Sequence, residues 1–413
     1  MLDPSEARSG ATSKSATTAV PPLDGIRVLD LTRVIAGPFC TMMLADMGAD
    51  VVKLEEPLYG DELRWVGRYP GRAQHDEDYF NASNRSKRGI ALNLKDDADR
   101  AIAKKLAERA DVVVENFSPG VAARLGLGWD ELSVSNRKLV YCSISGFGQT
   151  GPYRNRLALD PIIQAASGVM SVTGEPAQDP MQIGAPIADV AAGMFAAYAI
   201  AVSLHSRTAS GQGRYIDVSM LEAMIAMLGP RMGESLQAHR SPKRLGNQNP
   251  MRVPANAYQA KDGVYIDVIV QNDNHWSAFC AAVERPDWFE EPRYATMAGR
   301  VMHRDELNEL VRARFLERSS ADWLPDLECN RVPYAIVNDY QAALADPQIV
   351  FRGLVRAVDH PHSGSIRVVG APWKLSDVDV APKPPPLLGQ HTDEVIRDWL
   401  GSSRSLKASS STS

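Results

Sequence analysis

Several classes of protein are disfavoured by what this sequence lacks. It has only four cysteines among 413 residues, and none belongs to a C-x-x-C pair. Disulfide scaffolds and zinc sites need closely spaced cysteines, so we expect reduced thiols, no metal and a cytoplasmic location. No uncharged apolar run reaches the roughly 20 residues that span a bilayer, and no secretory signal is evident at the start.

Familiar hydrolase motifs are also missing. The eight histidines show no H-E-x-x-H spacing, and the sequence contains no G-x-S-x-G segment. Metal-dependent and serine-dependent hydrolysis therefore lack support. The net charge is −5, from 45 basic and 50 acidic residues. Without a basic excess, we expect neither nucleic acid nor a membrane as a partner.

The first part of the chain alternates between apolar strands and helical segments. The strand IRVLDL is followed by the helical segment FCTMMLADMG and by the strand ADVVKLEEP. Further strands are GIALNL, DVVVENF and KLVYCSIS. This alternation predicts a doubly wound, mostly parallel, Rossmann-like α/β domain.

The sequence also predicts the domain organisation. Residues 21–228 are expected to form the first part of the large domain, and residues 235–346 a smaller α+β domain with a hairpin around KDG. Residues 347–400 are expected to return to the large domain. The serine-rich and threonine-rich ends, residues 1–20 and 401–413, are expected to be disordered tails.

One glycine pattern imitates a dinucleotide-binding loop: Gly146, Gly148 and Gly151 in SGFGQTGP. A true dinucleotide loop opens a helix whose N-terminal amides reach the pyrophosphate. Here Pro152 and a loop follow instead. We therefore expect a glycine-rich loop that lies close to a ligand or to another backbone segment.

The segment NRSKRGIALNLK concentrates four cations: Arg85, Lys87, Arg88 and Lys95. One interpretation is a solvated loop. The other is a phosphate-binding patch, because lysine and arginine are natural partners of a phosphorylated ligand. The residues alone favour the solvated loop.

Asp189 is the one charged residue between Ala185 and Leu204. Burying an unpaired carboxylate costs several kcal/mol, so this residue needs a role. One interpretation is a cap for a helix that begins at Val190. The other is a nucleophile or base that the helix field and amides keep ionised. The two interpretations are compatible, and the residues alone leave both open.

Motifs along most of the chain resemble the class III CoA-transferases. They are PLDGIRVLDLTRVIAGPFCTMMLADMGADVVKLEEP, YFNASNRSKRGIALNLK, DVVVENFSPG, SISGFGQTGPY, GAPIADVAAGMFAAYAI with TASGQG, and PPPLLGQHT. Their order and spacing match the family from about Pro22 to Trp399. The resemblance is greatest to transferases of the succinate–hydroxymethylglutarate type.

The resemblance implies an activity and a set of site residues. Asp189, in PIADVAAG, would be the catalytic nucleophile. The implied CoA-contacting positions are Ile35, Ala36, Asn93, Lys95, Asn116, Phe117 and Arg124. Lys95 and Arg124 would approach the CoA phosphates, and Arg85, Lys87 and Arg88 remain candidates for the same role.

The resemblance further implies transfer of CoA from an acyl-CoA donor, such as succinyl-CoA, to a small dicarboxylic acid. The reaction would pass through a mixed anhydride and an aspartyl-CoA thioester, with CoA as substrate and no prosthetic group. The family forms interlocked homodimers, so the same assembly is expected here.

Two other functions were weighed. Related α-methylacyl-CoA racemases pair the aspartate with a histidine thirty residues earlier, where this chain has Leu159. Leucine cannot shuttle a proton, which favours transfer over racemisation. A non-catalytic CoA-binding protein is the second alternative, and the retained Asp189 is an argument against it.

Overall fold

A computed structural model describes residues 19–66 and 78–401 of the chain. The expected disordered tails lie almost wholly outside the described residues. The chain divides into two compact units. The first comprises the described parts of Met1–Ile163, Pro186–Met224 and Gly353–Ser413, and the second comprises Gln164–Ala185 and Ile225–Arg352. The domain boundaries expected from the sequence stay predictions.

Strands and helices alternate through most of the described residues. The strands are β1 (Arg27–Asp30), β2 (Asp50–Glu55), β3 (Arg88–Ala91), β4 (Val112–Glu115), β5 (Val140–Ser145), β6 (Arg214–Ser219), β7 (Ala255–Gln259), β8 (Tyr265–Ile269), β9 (Tyr334–Ile336), β10 (Val355–His360) and β11 (Gly364–Val369). The helices are α1 (Ala36–Ala45), α2 (Asp78–Asn84), α3 (Asp97–Arg109), α4 (Val121–Arg124), α5 (Trp129–Ser135), α6 (Asp160–Ser167), α7 (Val169–Val172), α8 (Ile187–Ser210), α9 (Met220–Met227), α10 (Gly229–Ala238), α11 (Asp273–Ala282), α12 (Pro286–Glu290), α13 (Met297–Met302), α14 (Arg304–Phe315), α15 (Ser320–Cys329), α16 (Tyr340–Ala345), α17 (Pro347–Arg352) and α18 (Thr392–Leu400).

A six-stranded sheet forms the centre of the first unit. Its strand order is β3-β2-β1-β4-β5-β6, and every neighbouring pair is parallel. This finding confirms the parallel α/β sheet predicted from the sequence. The order is that of dinucleotide-binding folds, in which ligands bind at the carboxyl ends of the strands where the winding reverses, here between β1 and β4.

Helices cover both faces of this sheet, which explains the continuous apolar runs of its strands. On one face, α3 and α18 pack over a core that includes Leu29, Val52, Leu106 and Trp399, all buried. On the other face, α8 packs against α1, β5 and β6.

The second unit has its own antiparallel sheet. β7 and β8 form the hairpin predicted around KDG, and β9 adds a third strand that the sequence did not reveal. Trp276, Phe279, Phe315 and Trp323 are fully buried in the core beside this sheet. Burial of large aromatic side chains supplies much of the hydrophobic stabilisation of such a core.

Helix α8 is the one described helix that is long and apolar enough, by length and composition alone, to cross a bilayer. Half of its most apolar stretch is buried inside the protein. Core helices of soluble proteins can have the same length and apolar composition, so α8 is weak evidence for a membrane span.

Candidate active site

The expected CoA-contacting positions share one location, the carboxyl edge of the parallel sheet. Ile35 and Ala36 follow β1, Asn93 and Lys95 follow β3, Asn116 and Phe117 follow β4, and Arg124 ends the short helix α4 after the same β4 loop. Because parallel strands all end at one edge, these loops lie side by side. The roles of these residues in binding stay predictions.

The turn between β1 and α1 is tied to the neighbouring loop by Asn116. The side-chain Nδ2 of Asn116 donates to the carbonyl oxygen of Arg33 at 2.8 Å, and its Oδ1 accepts from the Arg33 amide at 2.9 Å. The Arg33 guanidinium also lies 6.0 Å from the centre of the Phe117 ring. Asn116 therefore joins the two loops on either side of the switch point.

Asp189 lies in the first turn of α8, and the cap predicted at this residue is wrong. The helix begins at Ile187, its N-cap is Pro186, and no side-chain cap forms there. Instead, Oδ2 of Asp160 accepts hydrogen bonds from the amides of Ala188 at 2.7 Å and Asp189 at 3.1 Å. First-turn amides lack partners within their own helix, and a carboxylate from α6 satisfies two of them here.

The charge state of Asp189 also differs from the sequence-based expectation. Burial and, to a smaller extent, the nearby Asp160 raise the pKa of Asp189 to about 7, while the backbone amide of Ala36 acts to lower it. The helix amides that were expected to keep Asp189 ionised are bonded to Asp160. A carboxyl group with a pKa near 7 is only partly ionised at neutral pH, and its ionised form is a stronger base than an ordinary aspartate.

The small residues around Asp189 allow two helices to approach closely. A Cβ atom on Gly193 would lie only 2.7 Å from the Ala36 carbonyl oxygen and 3.2 Å from the Cys40 amide nitrogen. Ala188, Ala191 and Ala192, on the same helix, are also buried. Gly193 follows Asp189 by one helical turn, so this crossing places the carboxyl group against the N-terminus of α1.

Two cations of the basic segment, Arg85 and Lys87, are placed differently from either sequence-based interpretation. Arg85 is buried and pairs with Asp46 at 2.5 Å, and Lys87 is fully buried and pairs with Asp30 at 3.0 Å. Arg88 pairs with acidic residues of β2 and α18. Arg85 and Lys87 neutralise buried acids of the fold, so the expectation that these two face solvent or CoA phosphate is wrong. Arg88 is partly exposed, and its role stays a prediction. An unpaired buried charge would be costly, which explains why each has a partner.

Lys95 and Arg124 differ from those cations because both are exposed at the carboxyl edge of the sheet. They stay candidates for phosphate contacts. In the loop after β5, a Cβ on Gly146 would lie 2.1 Å from Cβ of Ala158. The expected close approach of this glycine loop to another chain segment is therefore present.

Asp160 is the site residue that sequence reasoning missed. It precedes a proline, a pair typical of a helix start, and it does begin α6. Its contact with amides 28 and 29 residues later is set by the tertiary structure. The one available signal was its position directly after Leu159, the residue used to judge racemisation.

The model of CoA-transferase family III matches residues 23–392. The chain belongs to this family. It is 38% identical to a succinyl-CoA:glutarate CoA-transferase of Mus musculus over 388 residues, which cover 94% of this chain and 88% of the relative. It is 37% identical to a succinyl-CoA:mesaconate CoA-transferase of Haloarcula marismortui, over 91% of this chain and 95% of the relative.

A solved structure agrees with this assignment. A CAIB/BAIF family protein from Brucella suis superposes with a TM-score of 0.83 and 33% identity, over 92% of this chain and 100% of that one. The resemblance inferred from the motifs is thus confirmed, and the protein is a family III CoA-transferase.

Proposed function

We propose that this enzyme transfers CoA from succinyl-CoA to a small dicarboxylic acid, with Asp189 as the covalent nucleophile. The two relatives described above are named for succinyl-CoA and for glutarate or mesaconate, which are both dicarboxylic acids. The observation that carries the proposal is the position of the Asp189 carboxyl group. It lies where α8 packs against the N-terminus of α1, which follows the carboxyl end of β1.

The proposed reaction divides the exchange into steps of similar energy. The ionised Asp189 attacks the thioester carbonyl, and CoA leaves as a thiolate to give a succinyl–aspartyl anhydride. The thiolate attacks the aspartyl carbonyl, which releases succinate and gives an aspartyl-CoA thioester. The acceptor carboxylate then attacks this thioester, and the freed thiolate takes the acceptor acyl group from the resulting anhydride. Asp189 is regenerated as a carboxylate.

The environment of Asp189 suits both halves of this chemistry. A raised pKa makes the carboxylate a stronger base, and the Ala36 amide keeps it oriented toward the N-terminus of α1. The small apolar side chains of α8 leave room for a thioester and exclude water that would hydrolyse an anhydride.

Donors for the oxyanion intermediates must come from elsewhere than the start of α8. The amides of Ala188 and Asp189 are bonded to Asp160, and that of Val190 to the Pro186 carbonyl. These three amides are therefore already bonded and do not serve as the donors. We propose the glycine loop from Gly146 to Gly151 for this role.

The CoA moiety is proposed to lie along the carboxyl edge of the sheet. The exposed Lys95 and Arg124 would pair with its phosphates. Ile35, Asn93 and Phe117 would line its path. Mutating either cation is expected to raise KM for succinyl-CoA, with less effect on kcat, because these groups bind substrate and transition state alike.

We also propose the interlocked homodimer and the cytoplasmic location that the resemblance implies. An apolar face of α8 supports the dimer, because Met194, Phe195 and Tyr198 are 48%, 40% and 69% exposed. Light scattering during gel filtration should give about twice the chain mass of 45.0 kDa. A single-chain mass would contradict the dimer.

The test of the activity is incubation with succinyl-CoA and a panel of carboxylic acids. New CoA esters are identified by mass spectrometry, and hydroxylamine is added to trap an acyl group on Asp189. We expect esters of small dicarboxylic acids and a hydroxamate at this residue. Asp189→Asn and Asp189→Ala should abolish both while CoA still binds. Asp179→Asn, at an exposed carboxylate of the preceding segment, is the matched control.

Two outcomes would overturn the proposal. Turnover retained by Asp189→Ala would exclude a covalent role for this residue. Solvent deuterium at the α-carbon of a 2-methylacyl-CoA would favour the racemase instead. The structure gives that alternative no added support, because Leu159 is apolar and 65% exposed.

A further inference from the structure

The turn before α1 contains a backbone conformation that its residue type disfavours. Val34 has φ +67°, in the left-handed region, where a β-branched residue is a genuine outlier. Such conformations persist only where surrounding groups hold them, and they cluster at functional sites. Two residues later, α1 begins at Ala36, whose carbonyl oxygen lies against Gly193, one helical turn after Asp189. The Ala36 amide there acts to lower the pKa of the Asp189 carboxyl group.

Side chains from three other segments hold the backbone at Val34 and at the two residues before it. Its amide donates to both carboxylate oxygens of Asp61, each at 3.2 Å. The Thr32 carbonyl accepts from Nζ of Lys53 at 2.8 Å. The residue between them, Arg33, is fixed by Asn116 as described above. The turn is thus anchored at three consecutive residues.

Asp61 and Lys53 form a buried ion pair. Their side chains are 1% and 0% exposed, and Nζ of Lys53 lies 3.0 Å from Oδ2 of Asp61. Burial acts to lower the pKa of Lys53, but Asp61 and Asp30 outweigh it and raise that pKa. Lys53 therefore stays charged, and the ion pair fixes Asp61 beneath the turn.

We infer that Asp61 is a positioning residue for catalysis: it holds Val34 in the left-handed conformation and thereby aims the Ala36 amide at Asp189. This inference rests on the proposed function of Asp189. Asp61 touches neither the nucleophile nor the expected CoA positions directly, and it acts through three residues of backbone.

The main test is Asp61→Asn, which keeps the shape but loses the charge that holds the turn. We expect the pKa of Asp189 to rise above its wild-type value, because the Ala36 amide that acts to lower this pKa is no longer held toward the carboxyl group. The other group that sets this pKa is Asp160, on α6, which the substitution leaves unchanged. A 10- to 100-fold fall in kcat is expected, since a small misplacement of a reacting group has that effect.

The pKa is read without catalysis, from the carbon NMR signal of labelled aspartate in the ligand-free enzyme. The signal is assigned by its loss in Asp189→Asn. Asp46→Asn is the matched control, because it removes the charge of another buried pair, with Arg85, that has no hydrogen bond to the turn. It should lower stability but leave the pKa of Asp189 unchanged.

Two variants of Val34 keep the inference testable if Asp61→Asn fails to fold. Val34→Pro preserves the Asp61–Lys53 pair but removes the amide and forces φ near −65°. It should reproduce the raised pKa and the loss of kcat. Val34→Gly in the Asp61→Asn background should recover most of the activity, because glycine adopts positive φ without help.

The inference is overturned if Val34→Pro keeps the wild-type pKa and kcat, or if Asp46→Asn shifts the pKa as far as Asp61→Asn. It also fails if the double variant recovers nothing. Failure of the proposed function is distinguishable, because hydroxylamine would then trap no acyl group at Asp189 even where the pKa follows Asp61.

Discussion

Asp189 should make the ligand-free enzyme less stable above neutral pH than it would be with a neutral residue. Its pKa is about 7 in the folded protein against an ordinary value of 3.8, with burial as the main cause. The unfolded chain therefore loses this proton more readily than the folded protein does. The protonated Asp189 carboxyl group therefore contributes stability to the folded protein. This contribution is fully present below pH 3.8 and is lost as pH rises through 7.

The size of the effect follows from the difference between those two pKa values. Each pKa unit corresponds to 1.36 kcal/mol, which gives on the order of 4 kcal/mol at pH 8 for a fully buried carboxyl group. The side chain retains some solvent contact, so screening reduces this figure, and we expect about 2 kcal/mol. For a unit of this size, that corresponds to a melting temperature change of roughly 4 °C.

Asp189→Asn should therefore melt at a higher temperature than wild type at pH 8 and at nearly the same temperature at pH 3.5. Differential scanning calorimetry across that range measures the change. Asp262→Asn is a control of opposite sign, because its hydrogen bonds with Ser320 lower the pKa of that exposed carboxyl group. A constant difference between Asp189→Asn and wild type across the range would refute the reasoning.

Three further predictions test the geometry of the site. Gly193→Val should separate α8 from Ala36, costing about 1–3 kcal/mol and most of the activity, as measured by urea unfolding and CoA-transfer assays. Asp160→Asn should lower the pKa of Asp189 and move the acidic limb of the kcat/KM profile to lower pH; an upward movement would contradict the coupling. Lys87→Met should cost about 3–5 kcal/mol in unfolding experiments yet leave KM for succinyl-CoA within about twofold, because this lysine neutralises a buried acid.

Local patterns predicted the sheet well because parallel strands leave a strong signal. The segments that form β1, β2, β4 and β5 are almost wholly buried, and each reads as a short apolar run. The hairpin of β7 and β8 was equally clear, since a turn sequence separates two β-type runs. β9 has three residues and pairs with a strand far away in sequence, so no local pattern could reveal it.

Long-range pairing is also what sequence reasoning missed in the basic segment. Lysine and arginine in a polar stretch are typical of solvated loops, and nothing local distinguishes the buried ones. Arg85 and Asp46 are 39 residues apart, and Lys87 and Asp30 are 57 apart. Their burial becomes predictable only once α1 and the strands beside it are placed.

The position of Asp189 followed from family motifs, but its charge state did not. Sequence reasoning assigned the helix amides to the aspartate nearest the apparent helix start, and so predicted a stabilised carboxylate. The structure assigns those amides to Asp160, from another helix. Because those amides bond Asp160, Asp189 is left with a like charge nearby and a single opposing amide, from Ala36. The pKa of Asp189 thus depends on which of two neighbouring acids accepts hydrogen bonds from the first-turn amides of α8, and the tertiary structure determines that.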